Sequence, residues 1–144
     1  MKGTGSFFLS ILAGILFALW LLGLWILSSL PGDDVQLPAF PGADKLAHFL
    51  YFAVGGLLLA WFLRRTLRWR GWKVTCSVLL TMALIGGLDE FHQLYTPDRS
   101  GADPLDWLAD ATGGFLGAVV IGWLYVRGRD QKPRAEGRVV AQGD

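Results

Sequence analysis

Four apolar segments of near-membrane length leave this chain few folds to choose from. Residues 7–30 carry no charge, and residues 46–63 carry only His48. Residues 74–94 are apolar as far as Asp89, and residues 107–126 carry only Asp110. A helix needs about 20 such residues to cross a hydrocarbon core roughly 30 Å thick. The first segment exceeds the apolar run of about 7–15 residues found in a signal peptide, so it reads as a retained helix. Composition agrees: 53% of the residues are hydrophobic and 17% charged, against about 25% charged in a soluble domain. Seven Trp suit a membrane interface. The expected fold is therefore all-α, an integral membrane bundle of four transmembrane helices over residues 1–126. Residues 127–144 are polar without hydrophobic periodicity and are expected to form a disordered cytoplasmic tail.

The distribution of basic residues sets the expected orientation. Lys2, the 64–73 connection and the tail hold eleven of the thirteen Lys and Arg. Lys45 and Arg99 alone fall on the other side. The positive-inside rule then places both termini in the cytoplasm. A net charge of +1 gives no reason to expect nucleic acid as a partner, and the single Cys76 allows no internal disulfide. Membrane lipids are the expected partners, and oligomeric state is left open.

With this topology, polar residues gather at the outer ends of three helices. Asp44 and His48 are four apart and share one helical face, with Lys45 beside them. On the third helix Gly86, Glu90 and Gln93 form one stripe, and His92 points nearly opposite to Glu90. On the fourth, Asp106 and Asp110 lie above Gly113 and Gly117, an acidic face continued by a small one. Small residues let helices approach closely, so this face is expected to point inward. Arg99 and Ser100 come from the connecting loop. Ionisable groups in spanning helices are costly and usually face a bundle interior or a watery cavity. The first helix offers only apolar residues and Ser and reads as a packing wall.

Three motifs, "DKLAHF" (44–49), "DEFHQLYTPDRS" (89–100) and "DWLADATGGFLG" (106–117), in this order resemble those of the VanZ-like family of small bacterial membrane proteins. The resemblance covers about residues 40–126. It departs at "PDRS", where the family often has P-G-R-S, and in a longer gap between Arg99 and Asp106. It implies a multi-pass membrane protein of the cell envelope, in a family named for a member linked to low-level resistance to the glycopeptide teicoplanin. It implies no settled biochemistry.

The candidate functional cluster is Asp44, Lys45, His48, Glu90, Gln93, Arg99, Asp106 and Asp110. Plain structural roles compete for each. Asp44 and Asp103 suit helix caps, with Asp106 adding to the second cap somewhat as in a capping box. Lys45 suits an interface position or an acid partner. His48 and Glu90 suit an interhelical hydrogen bond, and Gln93 another. Asp110 suits a bond to the loop or to Arg99. No cofactor or metal is expected: no metal-spaced pair such as HxxxH occurs, and acids paired with Lys45 and Arg99 account for the charges. The leading functional expectation is an outer site for a polar lipid or cell-wall precursor headgroup, with Lys45 and Arg99 meeting a phosphate. The alternatives are a membrane enzyme of lipid-linked substrates with His48 as base or nucleophile, and an accessory module in which the cluster is a staple.

Overall fold

The computed structural model of the chain describes residues 2–35 and 38–130, and these residues hold four long helices and no strand. They are α1 (Lys2–Ser29), α2 (Ala43–Thr66), α3 (Trp72–Gln93) and α4 (Pro104–Asp130), with one 3-10 turn at Gly32–Asp34. Each long helix contains a stretch long and apolar enough to cross a membrane. The expected tail is corrected at residues 127–130, which continue α4; its remainder lies outside the described residues.

Local chemistry sets the helix ends. Gly42, at φ +81°, turns the chain into α2, a backbone region where a Cβ is unfavourable. Arg64 and Arg65 occupy the last turn of α2, where cations suit the negative end of the helix dipole. Asp103 precedes Pro104 and accepts the Leu105 N–H at 2.8 Å, the expected N-cap with proline at the first helical position. Asp44 does not cap α2, because it already lies inside the first turn and Gly42 holds the cap position.

Consecutive helices run antiparallel. The α1 and α3 C-termini therefore meet the α2 and α4 N-termini at one end, hereafter the polar end. Gly32 N–H donates to Pro97 O at 3.0 Å there, joining the first and third connections. The most extensive interface is between α2 and α4. A Cβ on Gly113 would lie 2.2 Å from Phe49 O, and one on Gly117 2.2 Å from Ala53 O. Only glycine allows this backbone-to-backbone approach, as the small stripe of α4 implied. The core below the polar end includes Phe52, Val74, Val78 and Met82, all fully buried.

Among the described residues α1 touches α2 and α3 but not α4. Trp20 Nε1 donates to Tyr51 O at 3.0 Å and Tyr51 Oη donates to Trp20 O at 2.9 Å. This reciprocal pair satisfies both polar tips inside apolar surroundings and pins α1 to α2. Large apolar side chains such as Phe8, Leu80, Leu84 and Trp123 remain more than half exposed. That outer surface would be a liability in water and is the expected one in lipid. The protein is a multi-pass membrane bundle.

Candidate functional site

The site starts from one lysine. Lys45 Nζ donates to Asp103 at 2.8 Å, Asp44 at 3.0 Å and Asp106 at 3.1 Å. An ammonium has three donors, so this arrangement uses all of them. Asp103 lies outside the spans, and its carboxyl is held below the usual carboxylate range, first by Lys45 and then by the Leu105 N–H. Asp106 does not complete a capping box. It turns to Lys45, and Glu90 Oε2 of α3 accepts the Asp103 N–H at 2.8 Å instead. The Glu90 carbonyl accepts the Ala102 N–H at 3.2 Å, so Glu90 ties down the loop entering α4 twice.

His48 lies one turn deeper than Lys45. Its expected bond to Glu90 is replaced by one to Asp110, with Nδ1 and Oδ1 3.0 Å apart. Sequence spacing could not choose between two carboxylates on different helices. With Asp110 ionised, Nδ1 carries the proton of this bond, and in the neutral imidazole Nε2 then keeps its lone pair. Asp110 is fully buried, and its Oδ2 has no hydrogen-bond partner. It fits because α3 presents Gly86 there: a Cβ on Gly86 would lie 2.6 Å from that oxygen. Glu90 Oε1 is likewise enclosed without a partner. His48, Glu90 and Asp106 each bring one ligand-type atom within 4.8 Å of the others.

A second group joins α1 to α3. Ser28 Oγ donates to Asp89 Oδ1, and Gln93 Nε2 donates to Asp89 Oδ2 at 2.8 Å. All three residues are buried. Arg99 does not reach the acids. It donates to Leu27 O at 2.8 Å and Leu30 O at 3.2 Å, adding a donor to carbonyls at the C-terminal end of α1. His92 faces away from Glu90 as expected and packs on Trp25 of α1 with ring centroids 4.2 Å apart.

A cavity of about 200 Å³ opens between α1, α2 and α3. Asp44, His48, Asp89, Gln93 and Arg99 line it together with Leu24, Leu27 and Phe52. The eight candidate residues thus share one end of the bundle but form two groups. Lys45, Asp106, Asp110 and Glu90 join α2, α3 and α4, while Gln93 and Arg99 belong to the α1 side. Asp44 and His48 belong to both.

Two contributors escaped the sequence reading. Asp89 was left unassigned, although its spacing of four from Gln93 offered a signal. Ser28 had no signal, being one of several serines on an apolar helix, so α1 is more than a wall.

No curated protein and no solved structure is significantly similar to the chain. The VanZ/LLP1 family model matches residues 6–125, extending the motif-bearing part through nearly all of α1. With four spans, a shared polar end and a match over most of its length, the chain belongs to the VanZ/LLP1 family.

Proposed function

We propose that this protein sits in the bacterial cytoplasmic membrane with both termini inside and holds the polar headgroup of an envelope lipid, or of a lipid-linked cell-wall precursor, at its outward polar end. The orientation rests on the eleven basic residues assigned to one side. The headgroup reading rests on the cavity between α1, α2 and α3, whose polar wall carries Asp44, His48 and Asp89 and whose apolar wall carries Leu24 and Leu27. An acyl chain beside α1 and a headgroup against α2 and α3 would match that division. Lys45 has its donors filled by acids, so it is not free to grip a phosphate. A link to glycopeptide resistance would follow only if that headgroup belongs to a cell-wall precursor.

Mass spectrometry of lipids retained after gentle purification tests this reading. Ala47 lines the cavity without joining the polar bonds, so Ala47→Phe fills it and leaves the cluster intact. The expected result is one enriched headgroup class in the wild type and its loss in Ala47→Phe at similar thermal stability. Retained lipids that mirror the bulk membrane in both proteins would sink the headgroup reading and favour a staple.

One observation favours an enzyme as a second reading. Ser28 and His48 line the same cavity, with His48 oriented by Asp110, the parts of a nucleophile and an oriented base. Ser28 here donates to Asp89 and would have to turn from it. Turnover of the retained lipid that disappears in Ser28→Ala would support this reading; unchanged turnover would remove it.

A further inference from the structure

Two groups of three side chains at the polar end have the composition and closeness of a cation site: Asp44 with Asp103 and Asp106, and His48 with Glu90 and Asp106. The first already holds a cation, the Lys45 ammonium, bonded to all three carboxylates. In the second, Lys45 reaches only Asp106, and no cationic side chain is bonded to Glu90 among the described residues. Its Glu90 is 4% exposed, and Glu90 Oε1 is enclosed with no hydrogen-bond partner. A buried carboxylate oxygen without a partner is costly and needs a counter-charge or a donor. The expectation of no ion rested on the absence of a metal-spaced pair and on acids paired with Lys45 and Arg99; Lys45 does pair with acids, whereas Arg99 instead caps α1.

The ligand types and their support fit a metal. His48 Nδ1 is engaged by Asp110, so the ligating role falls to Nε2 in the neutral tautomer protonated at Nδ1. A carboxylate behind a ligating histidine fixes its tautomer and ring orientation, the usual outer support of a protein metal site. One imidazole and two carboxylates suit Zn²⁺ or Mn²⁺ and leave a coordination position open. Zinc at about 2.0–2.2 Å from each ligand would draw the three atoms to roughly 3.5 Å apart. One atom from each residue already lies within 4.8 Å of the others, close enough for side-chain adjustment to approach that spacing. His48 is half-buried and lines the cavity, which supplies an entry path.

We infer that His48, Glu90 and Asp106 form a binding site for a divalent transition-metal ion of the Zn²⁺ or Mn²⁺ class, joining α2, α3 and α4 and supported by Asp110. Lys45 shares Asp106 and moderates the affinity. The inference does not depend on which headgroup, if any, occupies the neighbouring cavity.

The test is titration of the metal-stripped full chain in detergent with Zn²⁺ and, separately, Mn²⁺, with metal content measured after gel filtration and no lipid added. The expected result is one bound ion per chain and a melting temperature that rises with metal and falls with chelator. Glu90→Gln keeps an acceptor for the Asp103 N–H, so folding is retained while binding weakens at least about tenfold. Asp106→Asn should do the same, and Asp110→Asn should weaken binding by about 10–100-fold through His48. His92→Ala should bind as the wild type does. No binding by the wild type overturns the inference, as does unchanged binding in both Glu90→Gln and Asp106→Asn. Metal binding by a wild type whose retained lipids merely mirror the bulk membrane would sink the headgroup reading alone.

Discussion

The two ends of this bundle use charge in opposite ways. At the polar end carboxylates from α2 and from α4 with its N-cap meet a lysine and a histidine at hydrogen-bond distance, and Asp106 and Asp110 are buried. At the other end Arg64 lies over the Tyr125 ring, 5.2 Å from its centroid, and Arg127 over Trp123 at 4.3 Å. A groove of about 1090 Å³ opens there between Arg64, Arg65 and Arg70 and three tryptophans, with no carboxylate in its lining. One end fixes helix positions through directional bonds. The other spreads charge over aromatic faces beside an open groove, an arrangement that tolerates change and suits a membrane surface. Stability should therefore be concentrated at the polar end.

The largest effect that would confirm this contrast is at Asp110. Asp110→Ala removes the partner of His48 and leaves a gap in a fully buried place. The expected loss is about 3 kcal/mol of unfolding free energy, as when one member of a buried pair is removed. Arg65→Ala should change stability by no more than about 0.5 kcal/mol. Equal losses at the two sites, measured by denaturation in one detergent system, would break the comparison. Gly86→Ala should follow, at about 1–3 kcal/mol, because its methyl would press on Asp110 Oδ2 at 2.6 Å. The pair gives a sharper reading than either variant alone. In the Asp110→Ala background the new methyl enters the vacated space, so Gly86→Ala should cost less there. Strict additivity would mean that the glycine serves something other than seating Asp110.

The four helices were legible because lipid demands long uncharged runs, and these stand out in any sequence. The inward face of α4 was legible for a related reason: Asp106, Asp110, Gly113 and Gly117 repeat at helical spacing, and all four are buried. Partner choice was not legible. His48 could reach Glu90 or Asp110, and the outcome depends on the rotation of α3 and α4 about their own axes, fixed by backbone contacts such as Gly113 on Phe49. Arg99 was misassigned for a different reason. Charge counting pairs a cation with an anion, whereas the acceptors Arg99 reaches are the backbone carbonyls of Leu27 and Leu30. Those carbonyls belong to the α1 backbone and leave no mark in side-chain patterns.

Arg99 therefore offers a smaller test within the polar end itself. Arg99→Ala should cost about 0.5–1 kcal/mol, the scale of a cation at a helix C-terminus, and should leave the Lys45 and His48 bonds in place. A loss as large as that of Asp110→Ala would move Arg99 from a cap of α1 into the central network. At the basic end, Arg64→Gln with Arg65→Gln should leave melting nearly unchanged. It should weaken association with anionic lipid by about 1 kcal/mol per residue, an effect that fades as salt rises. Loss of folding without a change in lipid preference would reverse the roles assigned to the two ends.

The smallest expected effect concerns acid. Asp103 has its carboxyl lowered by Lys45 and by the Leu105 N–H. A group whose folded value is depressed adds stability that is present above its unfolded value, about 3.9. That stability is lost as pH falls through the lower folded value. The contribution is small because the pair is partly exposed and screened. Lys45→Met should flatten the acid limb of the stability profile in this window, and Asp103→Asn should flatten it in the same way. The basic end has no depressed carboxylate among its described groups, so Arg64→Gln should leave that limb unchanged. An acid limb that keeps its shape in Lys45→Met would mean that the carboxylates at the polar end are held by one another's surroundings and not by the lysine they share.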